Sequence, residues 1–131
     1  MVARNSLTGV WHGLYTYPGQ PEPVYFVATV INSGSHLSGT VHESEVGRNG
    51  APLTLYAAIE GARQGDSVTF TKTYDGSGGW EHAVAYDGML SPDRTEIEGR
   101  WAIGVEASGK FLMIRSRGVN ESVMREVFEK V

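Results

Sequence analysis

The residues able to do chemistry are few and scattered. Glu43 and Glu45 share strand parity, which sets them about 7 Å apart along one face, a separation that permits paired acid–base work. A solvated strand end beside Gly47 is the simpler expectation, because exposed glutamate is the common case. Lys72 shares parity with Val68, Phe70 and Tyr74. It therefore either reaches into the interior or marks a bulge that reverses the alternation. Facing inward, its ammonium would need an anionic or polar partner. His36 and His42 share a face, but six strand residues hold them roughly 20 Å apart, too far for one ion. His12 falls opposite Trp11, toward solvent, and His82 could bind metal only with residues from other strands. G-x-S-x-G, G-x-G-x-x-G, the P-loop and H-E-x-x-H are all missing. Asp75-Gly-Ser-Gly-Gly79 is followed by no helix that could aim amides at a phosphate, so it reads as a loop. No catalytic residue, metal or other cofactor is expected.

Composition narrows the classes further. The chain of 131 residues fits one domain spanning 1–131. Eleven Lys and Arg against 15 Asp and Glu give a net charge of −4, which argues against nucleic acid or an anionic membrane as partner. Cysteine is absent, so disulfides, thiolate nucleophiles and cysteine-bound metal centres are excluded. Met1 to Leu7 lacks the apolar run of a secretory signal. Val24 to Ile31 is the longest apolar stretch and is far too short to span a bilayer as a helix. A cytoplasmic location is the expectation.

Seventeen glycines beside 3 Trp, 6 Tyr and 4 Phe are the balance of a β-rich chain with many turns. Turn signals recur at Pro18–Pro23, Asn32–Ser35, Gly47–Gly50, Gly61–Asp66, Asp75–Gly79, Ser91–Arg94 and Ala107–Gly109. Between them lie eight runs with period-two character: Val10–Tyr17, Val24–Ile31, Leu37–His42, Leu53–Glu60, Ser67–Tyr74, His82–Met89, Thr95–Ile103 and Lys110–Arg115. No gap is long enough for a crossover helix, so the runs predict an antiparallel meander. Closing it into an eight-stranded up-and-down barrel would remove its exposed edges.

Alternation assigns the faces. Trp11, Gly13, Tyr15 and Tyr17 share one; His82, Val84, Tyr86 and Gly88 another; Ile97, Gly99, Trp101 and Ile103 a third. The last run is apolar on both faces, with Phe111, Met113 and Arg115 on one and Leu112 and Ile114 on the other, so an outer cover is expected. The segment from about 120 to 130 reads as a short C-terminal helix capped by Asn120, with a stripe of Val123, Val127 and Phe128. That stripe packs on its own barrel or on a second subunit, which leaves a homo-oligomer open.

Leu7-Thr-Gly-Val-Trp11 carries the G-x-W pattern that opens the first strand of the calycin barrels, and over most of the chain the resemblance is to avidin and streptavidin. Leu37 to Gly47 resembles that family's third strand and the start of its closing loop. Tyr86-Asp-Gly88 resembles the end of the sixth strand, and Ile97 to Ile103 the seventh. The chain is also similar to small bacterial proteins of streptavidin-like fold, for which the family name supplies no activity. The resemblance implies that Trp11 plugs one end of the barrel and that Arg115 or Arg117 stacks across its indole. It also implies a pocket with Trp101, Ile103 and Tyr86 on its apolar side and Ser44, Val46 and Gly47 on a closing loop.

The polar side of a biotin site is mostly missing. Gly13 stands where the family has asparagine, Tyr17 where it has serine, and His42 or Val41 where it has tyrosine, and Lys110 to Arg115 holds no aspartate. Each unmet polar group of a buried ureido costs about 1–3 kcal/mol, so the lost partners remove several decades of affinity at about 1.4 kcal/mol each. Biotin is not the expected ligand. The expected function is non-enzymatic binding of a small, partly apolar molecule at the open end. Phe70, Tyr86, Trp101 and Ile103 would be its walls, Tyr15, Tyr17, Lys72 and His82 its polar contacts, and Ser44 to Gly50, including Val46, its lid. The alternative is a structural or protein-interaction module whose barrel is filled by the same aromatic side chains.

Overall fold

A computed structural model of the chain describes residues 6–46 and 49–116. Eight strands follow one another: β1 (Gly9–Tyr15), β2 (Val24–Ser33), β3 (His36–Val46), β4 (Pro52–Gln64), β5 (Ser67–Tyr74), β6 (Ala83–Leu90), β7 (Glu96–Ile103) and β8 (Ala107–Arg115). Each pairs antiparallel with the next, and β1 also pairs with β8. The result is a closed up-and-down barrel. A single turn of 3₁₀ helix, Ser77–Gly79, lies in the β5–β6 connection. The helix expected near 120–130 lies outside the described residues.

Alternation decides the interior. In β5 every second residue is buried, from Val68 through Phe70 and Lys72 to Tyr74, so Lys72 faces inward on a regular strand rather than at a bulge. Val84, Tyr86 and Leu90 do the same in β6, and Ile97 and Trp101 in β7. In β8 the inward Phe111 and Met113 are buried, and so are the outward Leu112 and Ile114, which cluster with Leu14 of β1. The opposite face of β8 is thus covered, as its double apolar pattern requires.

One expected turn, Ala107–Gly109, is strand instead, and another, Gly61–Asp66, narrows to Gly65 and Asp66. β4 continues through Gly61 to Gln64, because at Gly61 a Cβ would meet the Thr69 carbonyl oxygen at 2.0 Å. That glycine permits close backbone approach and makes no bend. Likewise Gly109 lies within β8, where a Cβ would sit 2.6 Å from the Trp101 indole nitrogen. The β7–β8 reversal falls at Gly104, whose positive φ of 53° suits glycine.

One end of the barrel is plugged. Trp11 has no exposed surface, its indole N–H donates to the Leu7 carbonyl at 2.9 Å, and the Arg115 guanidinium lies 5.0 Å from its ring centroid. The stacked cation expected from the sequence is therefore Arg115, which also donates to the Ser6 carbonyl. Above the plug, Val30, Leu37, Ile59, Val68, Ile97 and Met113 leave a void of only about 10 Å³, near the minimum for one water molecule.

Candidate functional site

The other half of the same tube is built differently. β3 runs four residues beyond the expected end at His42, so Glu43 and Glu45 continue its inward face after Leu37 and Val41. The expectation of a solvated strand end at Glu43 is overturned: its side chain is completely buried. Lys72 is the reason that a carboxylate is tolerated there. Its ammonium lies 3.4 Å from Glu43 Oε2, with only 2% of its own side chain exposed.

The pair is held in a cage of rings. Tyr15 OH donates to Glu43 Oε1 at 3.2 Å, and Tyr74 OH donates a short hydrogen bond to the same oxygen. The Lys72 nitrogen is 4.6 Å from the Tyr15 ring centroid, 4.7 Å from that of Tyr74, 5.3 Å from Tyr86 and 5.7 Å from Phe26. These are cation–π distances. The ammonium thus exchanges water for one carboxylate and four ring faces.

Burial sets the protonation of this cluster. It pulls Lys72 down to about 8 against the attraction of Glu43. It drives the phenols of Tyr15, Tyr74 and Tyr86 well above their ordinary value, and the Glu43 charge adds to each shift. Tyr15 and Tyr74 are thus protonated donors to Glu43, and Lys72 is its counter-ion.

Closer to the open end, the lining changes. Glu45 is half-buried, and burial and then repulsion from Glu43 push its carboxyl up. Tyr17, just beyond β1, lies against Trp101 in an edge-to-face pair with centroids 5.0 Å apart. Across the opening, Trp80 makes the same kind of contact with Tyr74 at 5.1 Å. Leu53 and Ile103 are partly buried against the same core.

The expected site residues divide into three groups. Tyr15, Lys72 and Tyr86 meet around Glu43, while Tyr17, Trp101 and Ile103 lie nearer the opening. The Trp101 indole N–H donates to the Thr16 carbonyl at 3.1 Å, so it is engaged by backbone. Phe70 stacks on Tyr86 at 4.7 Å and packs edge-on to Phe111. It belongs to the packed middle of the tube and is not a wall of the opening.

Ser44 does not face inward, and His82 is exposed beside the opening rather than inside it. Ser44 occupies the outward parity of β3 and is exposed. His82 precedes β6, so strand alternation does not govern it; it is exposed and rests on Tyr74 and Trp80 with centroids 4.9 and 5.4 Å away. Val46 ends β3, and its side chain is outside the described set, as are residues 47 and 48 of the expected lid.

Glu43 and Glu45, set aside in the sequence as a solvated strand end, and Tyr74 and Trp80, not singled out there, are the site residues that sequence reasoning missed. The signal for the first was present, since an inward lysine demands an anion and Glu43 has the matching parity one layer away. Trp80 comes from a connection without periodicity, so no pattern could place it. Among the described residues no three His, Asp or Glu side chains converge as a metal site would require.

A closed antiparallel barrel with a charged, aromatic interior near one end is the class these features define. No family model, curated protein or solved structure matches the chain.

Proposed function

We propose that the protein is a non-catalytic, streptavidin-like barrel that binds a small, partly apolar molecule other than biotin at its open end. The observation that carries this reading is the buried Glu43–Lys72 pair with its tyrosines. A buried ion pair is a poor way to stabilise a fold, because apolar residues of similar volume do as well or better by about 1–4 kcal/mol. Perturbed titratable groups beneath an opening are the ordinary mark of a binding site. Tyr17, Glu45, Trp80, Trp101 and Ile103 would contact the ligand, with the Glu43–Lys72 layer as a polar floor. This is shallower than the pocket expected from sequence.

Native mass spectrometry of the protein purified from its source cells tests the reading, together with a thermal-shift screen of small aromatic and heterocyclic compounds. A mass increment released by gentle activation, or a compound whose stabilisation is lost in Trp101→Phe or Tyr17→Leu, supports it. Bare protein and no stabilising compound overturn it.

A second reading, a structural or protein-interaction module, draws on a different observation. A groove of about 500 Å³ runs outside the tube, lined by Leu14, Leu112, Met89, Glu98, Arg100 and Lys110. Under that reading no small molecule is retained, and reversing the charges of Arg100 and Lys110 disrupts an assembly visible by size-exclusion chromatography.

A further inference from the structure

The half of the interior away from the Trp11 plug holds two carboxylates and a single ammonium among the described residues. The ionisable acid and ammonium side chains of those residues that face into this half of the tube are Glu43, Glu45 and Lys72. Lys72 is taken by Glu43 at 3.4 Å, while Glu45 makes no hydrogen bond or ion pair with any described residue and feels the Lys72 charge only at longer range. Glu45 stands one inward position closer to the opening than Glu43, near enough for its charge to act on the Tyr17 phenol. The rings beside the opening are Tyr17 with Trp101 and Trp80 with Tyr74.

The two layers are therefore alike in kind. The inner one has a carboxylate, a ring cage and an ammonium; the outer one has a carboxylate and rings. An anionic ligand would meet the Glu45 charge first and would find the Lys72 ammonium buried and already paired with Glu43. A cationic ligand would meet a partly desolvated carboxylate with the Tyr17 phenol in reach of its charge, and a carboxylate beside aromatic rings suits organic ammonium groups.

Building on the binding reading above, we infer that the ligand carries an organic ammonium group, which takes beside Glu45, Tyr17, Trp101 and Trp80 the place that Lys72 takes in the layer beneath. Its apolar part then packs against Ile103 and Leu53.

The test is a set of four probes of similar size, titrated by tryptophan fluorescence and by thermal shift: benzyltrimethylammonium, phenethylamine, benzyl alcohol and phenylacetate. Benzyltrimethylammonium or phenethylamine is expected to bind at least about tenfold more tightly than benzyl alcohol, with phenylacetate weakest. Glu45→Gln should erase that preference, bringing the ratio close to one, while Glu98→Gln on the outer face leaves it unchanged. Equal or tighter binding of benzyl alcohol or phenylacetate overturns the inference but leaves a binding barrel standing. A cation preference that survives Glu45→Gln overturns it as well. No response to any of the four, combined with an empty mass spectrum of the purified protein, removes both readings.

Discussion

The two halves of this barrel are made by the same strands under the same alternation, yet they follow opposite rules. In the plugged half the buried inward side chains are apolar, from Leu7 and Trp11 to Met113, and almost no space is left. In the other half the same parity delivers Glu43, Glu45, Lys72 and three tyrosines. A carboxylate and an ammonium removed from water regain only part of their hydration energy from each other. The comparison separates what folds the chain from what the chain is folded for. The plugged half supplies stability, and the polar half draws on it.

The sharpest way to break this contrast is to unpair the ions. Glu43→Leu leaves Lys72 buried without a counter-ion and should cost about 3–5 kcal/mol, read from urea unfolding. The double variant Glu43→Leu with Lys72→Met should recover that loss and equal or exceed the native stability. A double variant no more stable than the single one would mean that the pair serves the fold.

In the plugged half, Ile97→Ala should cost about 2–5 kcal/mol through lost burial and a cavity. Ligand affinity at the far end should stay unchanged, as a titration of the folded variant would show.

Alkaline pH acts mainly on the polar half. Lys72 releases its proton near 8 in the folded chain but only near 10.5 when unfolded. Between those values the unfolded chain binds more protons, so stability rises with pH. Glu43 and Glu45 of β3 oppose the release and thus bound the rise. Above about 10 unfolded tyrosines ionise while Tyr15, Tyr74 and Tyr86 stay protonated, and stability falls again. Melting temperatures from pH 7 to 11 should pass through a maximum near 10, and Lys72→Met should abolish the rising limb. The smallest effect belongs to the plug: Arg115→Met removes a cation from the Trp11 face and a hydrogen bond to Ser6, worth about 1 kcal/mol. Differential scanning calorimetry would resolve it.

The tube was legible in the sequence because strands and turns announce themselves through parity and glycine, and all eight runs became strands. The Trp11 plug came instead from the resemblance to the calycin barrels, which left its stacked cation open between Arg115 and Arg117; the structure shows Arg115 there. What misled was polarity. Glu43-Ser44-Glu45 looks like a solvated end because burying a carboxylate is rare, so the third run appeared to stop at His42 when the strand continues to Val46. Hydrophobic pattern registers each residue singly, whereas Glu43 is buried because of Lys72 on another strand, 29 residues away. Gly61 and Gly109 misled in the opposite sense, their lack of a side chain serving backbone approach and not reversal.

Pairing β1 with β8 also governs how the molecule comes into being. The contact that ties Arg115 to Ser6 joins residues 109 positions apart, and the loop between them must be ordered before the ring can shut. Until the eighth strand arrives, the first presents an open edge, as a growing chain on the ribosome would. Closure is then a late, all-or-none event, and its slowness should show as a single rate-limiting phase in refolding.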